Sequence, residues 1–273
     1  MKRNIIGIVG LLILAAAIFL SYRHFVVSHK DFNEFAKDYY ANLSSELFGI
    51  AITILLIDYL YEQKEKESNK ARLLRELASE DKGFTSRALR EIRSLGYLYD
   101  GTLNGADLSG ANLCDLDFAN ANLRNVNFTG AQLNKAIFTN SDLTGANLNY
   151  AELRDAKLEN CKLTNVQMKK CNLYGAIMNN SAIENVDLMT SNLEACELID
   201  VSIINVKLED ANIRVANLTR TRIANSNFLR ADVSSLNARS AVFERCDFKD
   251  LSGWNSIIDK STASFLACTN VPN

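Results

Sequence analysis

The sequence predicts an all-β solenoid with four sides to each coil, carried behind apolar helices. Three observations predict it. Every fifth residue from Leu103 to Phe248 is apolar, without a miss. The residues two places after those apolar centres follow a second period of twenty. Two apolar stretches of helical character lie ahead of residue 62.

A helix of period 3.6 and a strand of period 2 both lose phase against a strict period of five. A chain that turns a corner every five residues keeps phase, with one large apolar side chain pointing inward per side. Two residues before each centre the side chain is mostly small, with Leu only at Leu116 and Leu236. The corners give the number of sides. Asn stands at 120, 140, 160 and 180 and at 125, 165, 185, 205 and 225, two of the four phases of twenty; the other two phases hold none. Asn tolerates left-handed backbone and its amide can bond to a copy one coil away. Strands about 4.8 Å apart then make a rod roughly 36 Å long. Cys161, Cys171, Cys196 and Cys246 occupy small inward positions and read as core fillers.

Ahead of the repeats, Ile5–Leu20 is an apolar run of spanning length behind Lys2 and Arg3, with no small-x-small cleavage site after it. Leu43–Tyr61 is a second run, with Glu46 and Asp58 near its ends. Lys64, Lys66, Lys70, Arg72 and Arg75 follow it, while the Tyr22–Ser45 loop holds Arg23, Lys30 and Lys37. The positive-inside bias predicts a two-pass cell-membrane protein with both termini and the repeats in the cytoplasm. Gly7, Gly10 and Ala17 on the first helix, and Gly49 and Thr53 on the second, offer small faces for close approach.

The expected organisation is a two-helix membrane anchor at 1–62, a helical connector and N-terminal cap at 63–100, the repeats at 101–250 and a C-terminal cap at 251–273. The connector is a charged helix over Glu62–Glu80 with Leu73, Leu74 and Leu77 on one side, broken at Asp81-Lys82-Gly83. A second helix, N-capped by Thr85 or Ser86 and stopped at Gly96, presents Ala88, Leu89, Ile92 and Leu95 to the open end of the first coil. In the tail the five-residue pattern breaks where Gly253 takes an apolar position. Leu251, Trp254, Ile257, Ile258, Phe265 and Leu266 then fold back over the last coil, with Trp254 against Phe243 and Phe248. The rival is a two-fold contact between two rods. Self-association through the membrane helices or through this tail stays open.

Ala106-Asp107-Leu108-Ser109-Gly110 and Ala111-Asn112-Leu113 resemble the A-(D/N)-L-x-x signature of the pentapeptide repeat family over residues 101–250. The resemblance implies a right-handed quadrilateral β-helix. Asn42–Tyr61 with its charged continuation resembles the anchor of membrane-attached bacterial members. Fold alone does not give function.

No catalytic, cofactor-binding or metal site is expected. The six Cys form no C-x-x-C pair, and His24 and His29, five apart, are the only His. The formal net charge of −2 gives no global pull toward nucleic acid. The expected function is a membrane-tethered, non-enzymatic scaffold that presents the solenoid to a cytoplasmic protein partner. Residues 182–212 are acidic and 213–249 basic. Ile177, Ile199 and Ile204 project outward by register and, with Arg220, Arg222 and Arg230, form the candidate partner surface. The alternative is mimicry of DNA toward an enzyme such as gyrase, which the resemblance to gyrase-protecting relatives implies. Residues 100–250 hold 15 basic and 19 acidic residues, a net of −4, and the basic C-terminal third departs from a uniformly acidic rod.

Overall fold

The computed structural model describes residues 3–28 and 34–272, with side chains for 7–23, 26 and 41–272. His29 lies outside the described residues, and the side chain of His24 is not described. The chain divides into two units, Met1–Ala71 and Arg72–Asn273.

The first unit contains α1 (Arg3–Ser28) and most of α2 (Glu34–Leu77), a single 44-residue helix. The two pack through small residues. Ala17 and Ala51 are fully buried. A Cβ added to Gly10 would stand 3.1 Å from Ile54 Cγ2 and 3.1 Å from Leu55 Cδ2, tighter than ordinary contact. Gly49 and Thr53 do not share this seam. Both are exposed, Gly49 has open space at its Cα, and Thr53 Oγ1 donates to the Gly49 carbonyl at 2.8 Å. They lie on another face of α2 from Ala51, Ile54 and Leu55. Among the described residues, α2 over Ala41–Leu77 is long and apolar enough to cross a membrane, and the apolar part of α1, Gly7–Arg23, is shorter.

In the second unit, α3 (Lys82–Ser94) begins earlier than the sequence predicts. Its N-cap is Asp81, whose carboxylate accepts from Gly83 and Phe84 N–H at 2.7 and 3.3 Å. Thr85 is fully buried and spends its hydroxyl elsewhere, donating to the Asn112 carbonyl at 2.7 Å. The helix stops as expected at Gly96, φ +78°, with Gly96 and Tyr97 N–H returning to Arg93 and Ile92 carbonyls. Leu95 is exposed rather than covering the coil; Leu98, past the turn, is buried in its place. Leu73, Leu77, Ala88, Leu89, Ile92 and Leu98 join one continuous core with the inward residues of the coils.

The coils are four-sided. Asp107 bridges Asn127, Asn112 bridges Gln132, Asp117 bridges Ile137 and Asn122 bridges Asp142, all parallel and all twenty residues apart. We number the sides one to four from these starts. On side four the pairing extends into β1 (Lys162–Thr164), β2 (Ala182–Glu184), β3 (Ser202–Ile204), β4 (Arg222–Ala224), β5 (Val242–Glu244) and β6 (Ser264–Leu266), one parallel sheet in chain order. Every corner from Gly105 to Asp250 has positive φ, including bulky Tyr150 at 63° and β-branched Val215 at 57°. The axial hydrogen-bond ladder thus imposes the left-handed corner on whatever residue stands there. In the corner column of Asn165, Asn adds rungs: Asn185 Nδ2 donates to Asn165 Oδ1 at 3.1 Å and Asn205 Nδ2 to Asn185 Oδ1 at 3.0 Å.

The tail does not fold back. It winds one further coil in the same direction, with Asp232 opposite Ser252, Asn237 opposite Ile258, β5 opposite β6 and Asp247 opposite Thr269. The offset grows from twenty to twenty-two because two corners each take an extra residue. Short 3₁₀ turns at Trp254–Ser256 and Lys260–Thr262 absorb them. Their hydroxyls replace lost carbonyl acceptors: Ser256 Oγ receives Ser235 N–H and Thr262 Oγ1 receives Ser240 N–H, each at 3.0 Å. Gly253 sits against Ser234 so closely that a Cβ would lie 2.4 Å from its backbone N, at φ +78°. Trp254 packs on Phe248 with ring centroids 5.8 Å apart, but Phe265 takes the expected place on Phe243, stacked at 5.0 Å.

Candidate interaction surface

Along each side the inward residues are buried, so the outward rows are what another molecule meets. The twenty-residue register decides which outward residues are neighbours. Ile177 lies on side three between Lys157 and Glu197, and Ile199 stands two positions after the bridge residue Glu197 on the same side. Ile204 ends β3 on side four, between Glu184 and Ala224, and Arg222 opens β4 between Ser202 and Val242. Arg220 occupies the corner that joins sides three and four. These five share two adjacent sides. Arg230 does not; it stands at the corner between sides one and two, diagonally opposite. The three Ile are half-buried and the three Arg exposed.

The arginines are already engaged. Arg220 holds Asp200, one coil earlier in the same corner column, through two hydrogen bonds of 2.7 and 2.5 Å. Arg230 holds Asp210 in the same way at 2.6 and 2.7 Å. Arg222 reaches Glu244 at 2.6 Å, and Arg245 holds the other oxygen of that carboxylate. These guanidinium hydrogen bonds hold Asp200, Asp210 and Glu244 below the usual carboxylate range. The acidic block and the basic block that follows it are therefore successive coils of one rod, and much of their charge closes internally. What remains open on side four is a short row of small and aliphatic side chains, Ala182, Ser202, Ile204 and Val242, with Ala224 buried beside Ile204 and the paired Arg222 and Glu244 standing among them.

Two features escaped the sequence reading. On side two, Asn172 Nδ2 donates to Glu152 at 2.9 Å, Asn192 to Asn172 at 3.2 Å and Asn212 to Asn192 at 3.1 Å, an outward amide ladder. Beside its lower rungs, exposed Tyr150 carries Lys170 5.5 Å over its ring, and Tyr174 carries Arg154 at 5.2 Å. The signal was present: Tyr150 in a corner column without Asn, and Tyr174 in an outward row of mixed polar and charged residues. Among the described residues, no group of three or more His, Cys, Asp or Glu stands together to hold a metal.

These features define a four-sided parallel β-solenoid of five-residue repeats. Residues 111–188 match the family model of the pentapeptide repeat region, and the repeat domain is a pentapeptide repeat β-helix. Similar solved structures include HetL, a pentapeptide repeat protein involved in heterocyst differentiation regulation from the cyanobacterium Nostoc sp. strain PCC 7120. It is 22% identical, over 60% of this chain and 81% of its own, with a TM-score of 0.49. QnrB1, a plasmid-mediated fluoroquinolone resistance protein, is 14% identical over 61% of this chain and 85% of its own, with a TM-score of 0.44. A pentapeptide repeat protein of the Arabidopsis thaliana thylakoid lumen is 34% identical over 36% of this chain and 66% of its own, with a TM-score of 0.20. No curated protein matches the chain. No enzyme family is indicated.

Proposed function

We propose that this protein is a non-enzymatic, membrane-tethered scaffold that presents sides three and four of its solenoid to a cytoplasmic protein partner. The observation that carries the reading is the row of small and aliphatic side chains around Ile204 on side four, beside a corner where Arg220 and Asp200 are paired with each other. A flat strip of small and aliphatic side chains costs little to desolvate. The same pairing counts against DNA mimicry, because Asp200 and Asp210 are neutralised by their neighbours. In this reading α1 and α2 form a two-span anchor, and the basic run Lys64–Arg75 keeps the repeats inside.

Two experiments test it. A photo-crosslinking residue at Ile204 or Ile199 forms a discrete adduct in cells, whereas one at Lys207 on side one does not; equal adducts at all three sites refute the assigned surface. Reporters fused at Asn273 are active only in the cytoplasm, and reporters in the Tyr22–Ser45 loop only outside. A C-terminus on the outer side refutes the two-span anchor.

A further inference from the structure

Read every five residues, Cys268 has no relation to Cys246. The two inserted residues of the last coil change that. Asp247 pairs with Thr269 across the final coil boundary, and Thr269 N–H donates to the Cys246 carbonyl at 2.9 Å. Cys246 and Cys268 therefore occupy the same small inward position one coil apart. Their thiols are oriented alike. Cys246 Sγ reaches the carbonyls of Ile223 and Glu244 at 3.5 and 3.6 Å; Cys268 Sγ reaches those of Phe243 and Leu266 at 3.4 and 3.6 Å. Side chains stacked in this position meet directly: Ser141 Oγ and Cys161 Sγ, also one coil apart, are 3.6 Å from each other. Parallel strands about 4.8 Å apart fall inside the Cα separation of about 4.4–6.8 Å that a disulfide needs. Cys161, Cys171 and Cys196 have no cysteine twenty residues away.

We propose that Cys246 and Cys268 form an oxidisable thiol pair that closes to a disulfide by exchange with a small-molecule disulfide, stapling the terminal coil to the coil before it. Cys268 is half-buried at the rod's end and accessible, whereas Cys246 is buried. Burial pushes the Cys246 thiol up to about 11, with Cys268 adding to the rise. The order of events follows. The Cys268 thiolate attacks one sulfur of the small disulfide, forms a mixed disulfide and expels one thiolate. That thiolate takes the Cys246 proton. The Cys246 thiolate then attacks the Cys268 sulfur and expels the second thiolate, which takes up from water the proton that Cys268 released on ionising. Two protein thiols are oxidised and one small disulfide is reduced to two thiols. The bond closes a loop holding both 3₁₀ turns, so it restrains the whole last coil. The pair stays reduced in a reducing compartment and closes when disulfide oxidant accumulates.

The test uses the full chain in detergent, incubated folded with oxidised glutathione and then alkylated. Peptide mapping finds Cys246 linked to Cys268, and the link persists in C114S and is lost in C268S. Lys260 is the one tryptic site within 251–273, and its cleavage slows about tenfold on oxidation of the wild type, with no change in C268S. The proposal is overturned if folded protein accumulates glutathione on Cys268 with Cys246 left alkylatable, or if the link appears only in denaturant. A link that forms without slowing cleavage at Lys260 overturns the stapling role. None of these readouts depends on a variant folding, because the wild-type map alone decides whether the bond forms.

Discussion

The two ends of the solenoid solve the same problem differently. A stack of parallel strands leaves backbone donors and apolar area bare at each terminus. At the N-terminal end, other elements cover them. Asn112 N–H donates to the Ser79 carbonyl and Asn122 N–H to the Leu98 carbonyl, both at 3.0 Å, and Thr85 and Arg93 clamp α3 onto the first coil. Ile92 and Leu98 seal the apolar opening. At the C-terminal end, strand is added directly to strand, from β5 to β6. β6 is the last member of its sheet, and Leu266, Ile258 and Val271 are 52, 50 and 39% exposed. A closed end and an open end on one rod should differ in cooperativity, since each coil is held mainly by its neighbours.

The largest effect comes from placing the same charge at each end. Ile92→Asp buries an unpaired carboxylate among Leu89, Leu98 and Leu103 and should cost several kcal/mol of global stability by denaturant titration. Phe265→Asp, at a half-buried site, should loosen the last coil while leaving the main transition nearly in place. Equal losses would mean that the ends are equivalent. Next is Thr85→Val, which keeps shape but removes the donor to Asn112 and should cost about 1–3 kcal/mol; Thr85→Ser should restore most of it.

Acid should act on the closed end too. Burial raises the Asp117 carboxyl, but the Ala119 N–H and Arg93 together lower it further, to a net position below the ordinary value. A folded-state value depressed in this way contributes stability above the unfolded value, about pH 4, and the contribution is lost as pH falls through the folded value. Asp117→Asn should flatten the acid limb of a stability–pH profile; an unchanged limb would remove the Arg93 clamp from the account. The smallest effect is Asn185→Ala, which breaks two rungs of an exposed corner ladder and should cost about 0.5–1 kcal/mol. A cost above that of Thr85→Val would make the corners, rather than the ends, the determinant of stability.

Most of the fold was legible because a period of five admits few solutions, and the Asn phase fixed the number of sides from residues such as Asn165, Asn185 and Asn205. What was not legible depended on neighbours that sequence distance conceals. Thr85 has a good capping side chain, but Asp81 lies at the helix start and Thr85 finds a better acceptor in Asn112. The last coil was hidden by two single-residue insertions, each enough to break the phase while the axial pairing continues around it. Ile177, Ile199 and Ile204 stand half-buried in the outward rows. Arg220 and Arg230 looked like free basic residues because the acids that hold them stand twenty residues earlier. Tyr150 and Tyr174 are single aromatic side chains in polar columns, and their cation partners Lys170 and Arg154 stand twenty residues away, one coil distant.

Hydrogen exchange of native protein, resolved coil by coil, tests the contrast between the ends most directly. The account predicts that amides of Leu108–Leu123, under α3, exchange only with global unfolding, and that those of Ser252–Thr269 exchange first, through local opening of the last coil. Exchange that begins in the first coil, or protection that is uniform from Leu108 to Thr269, would contradict it.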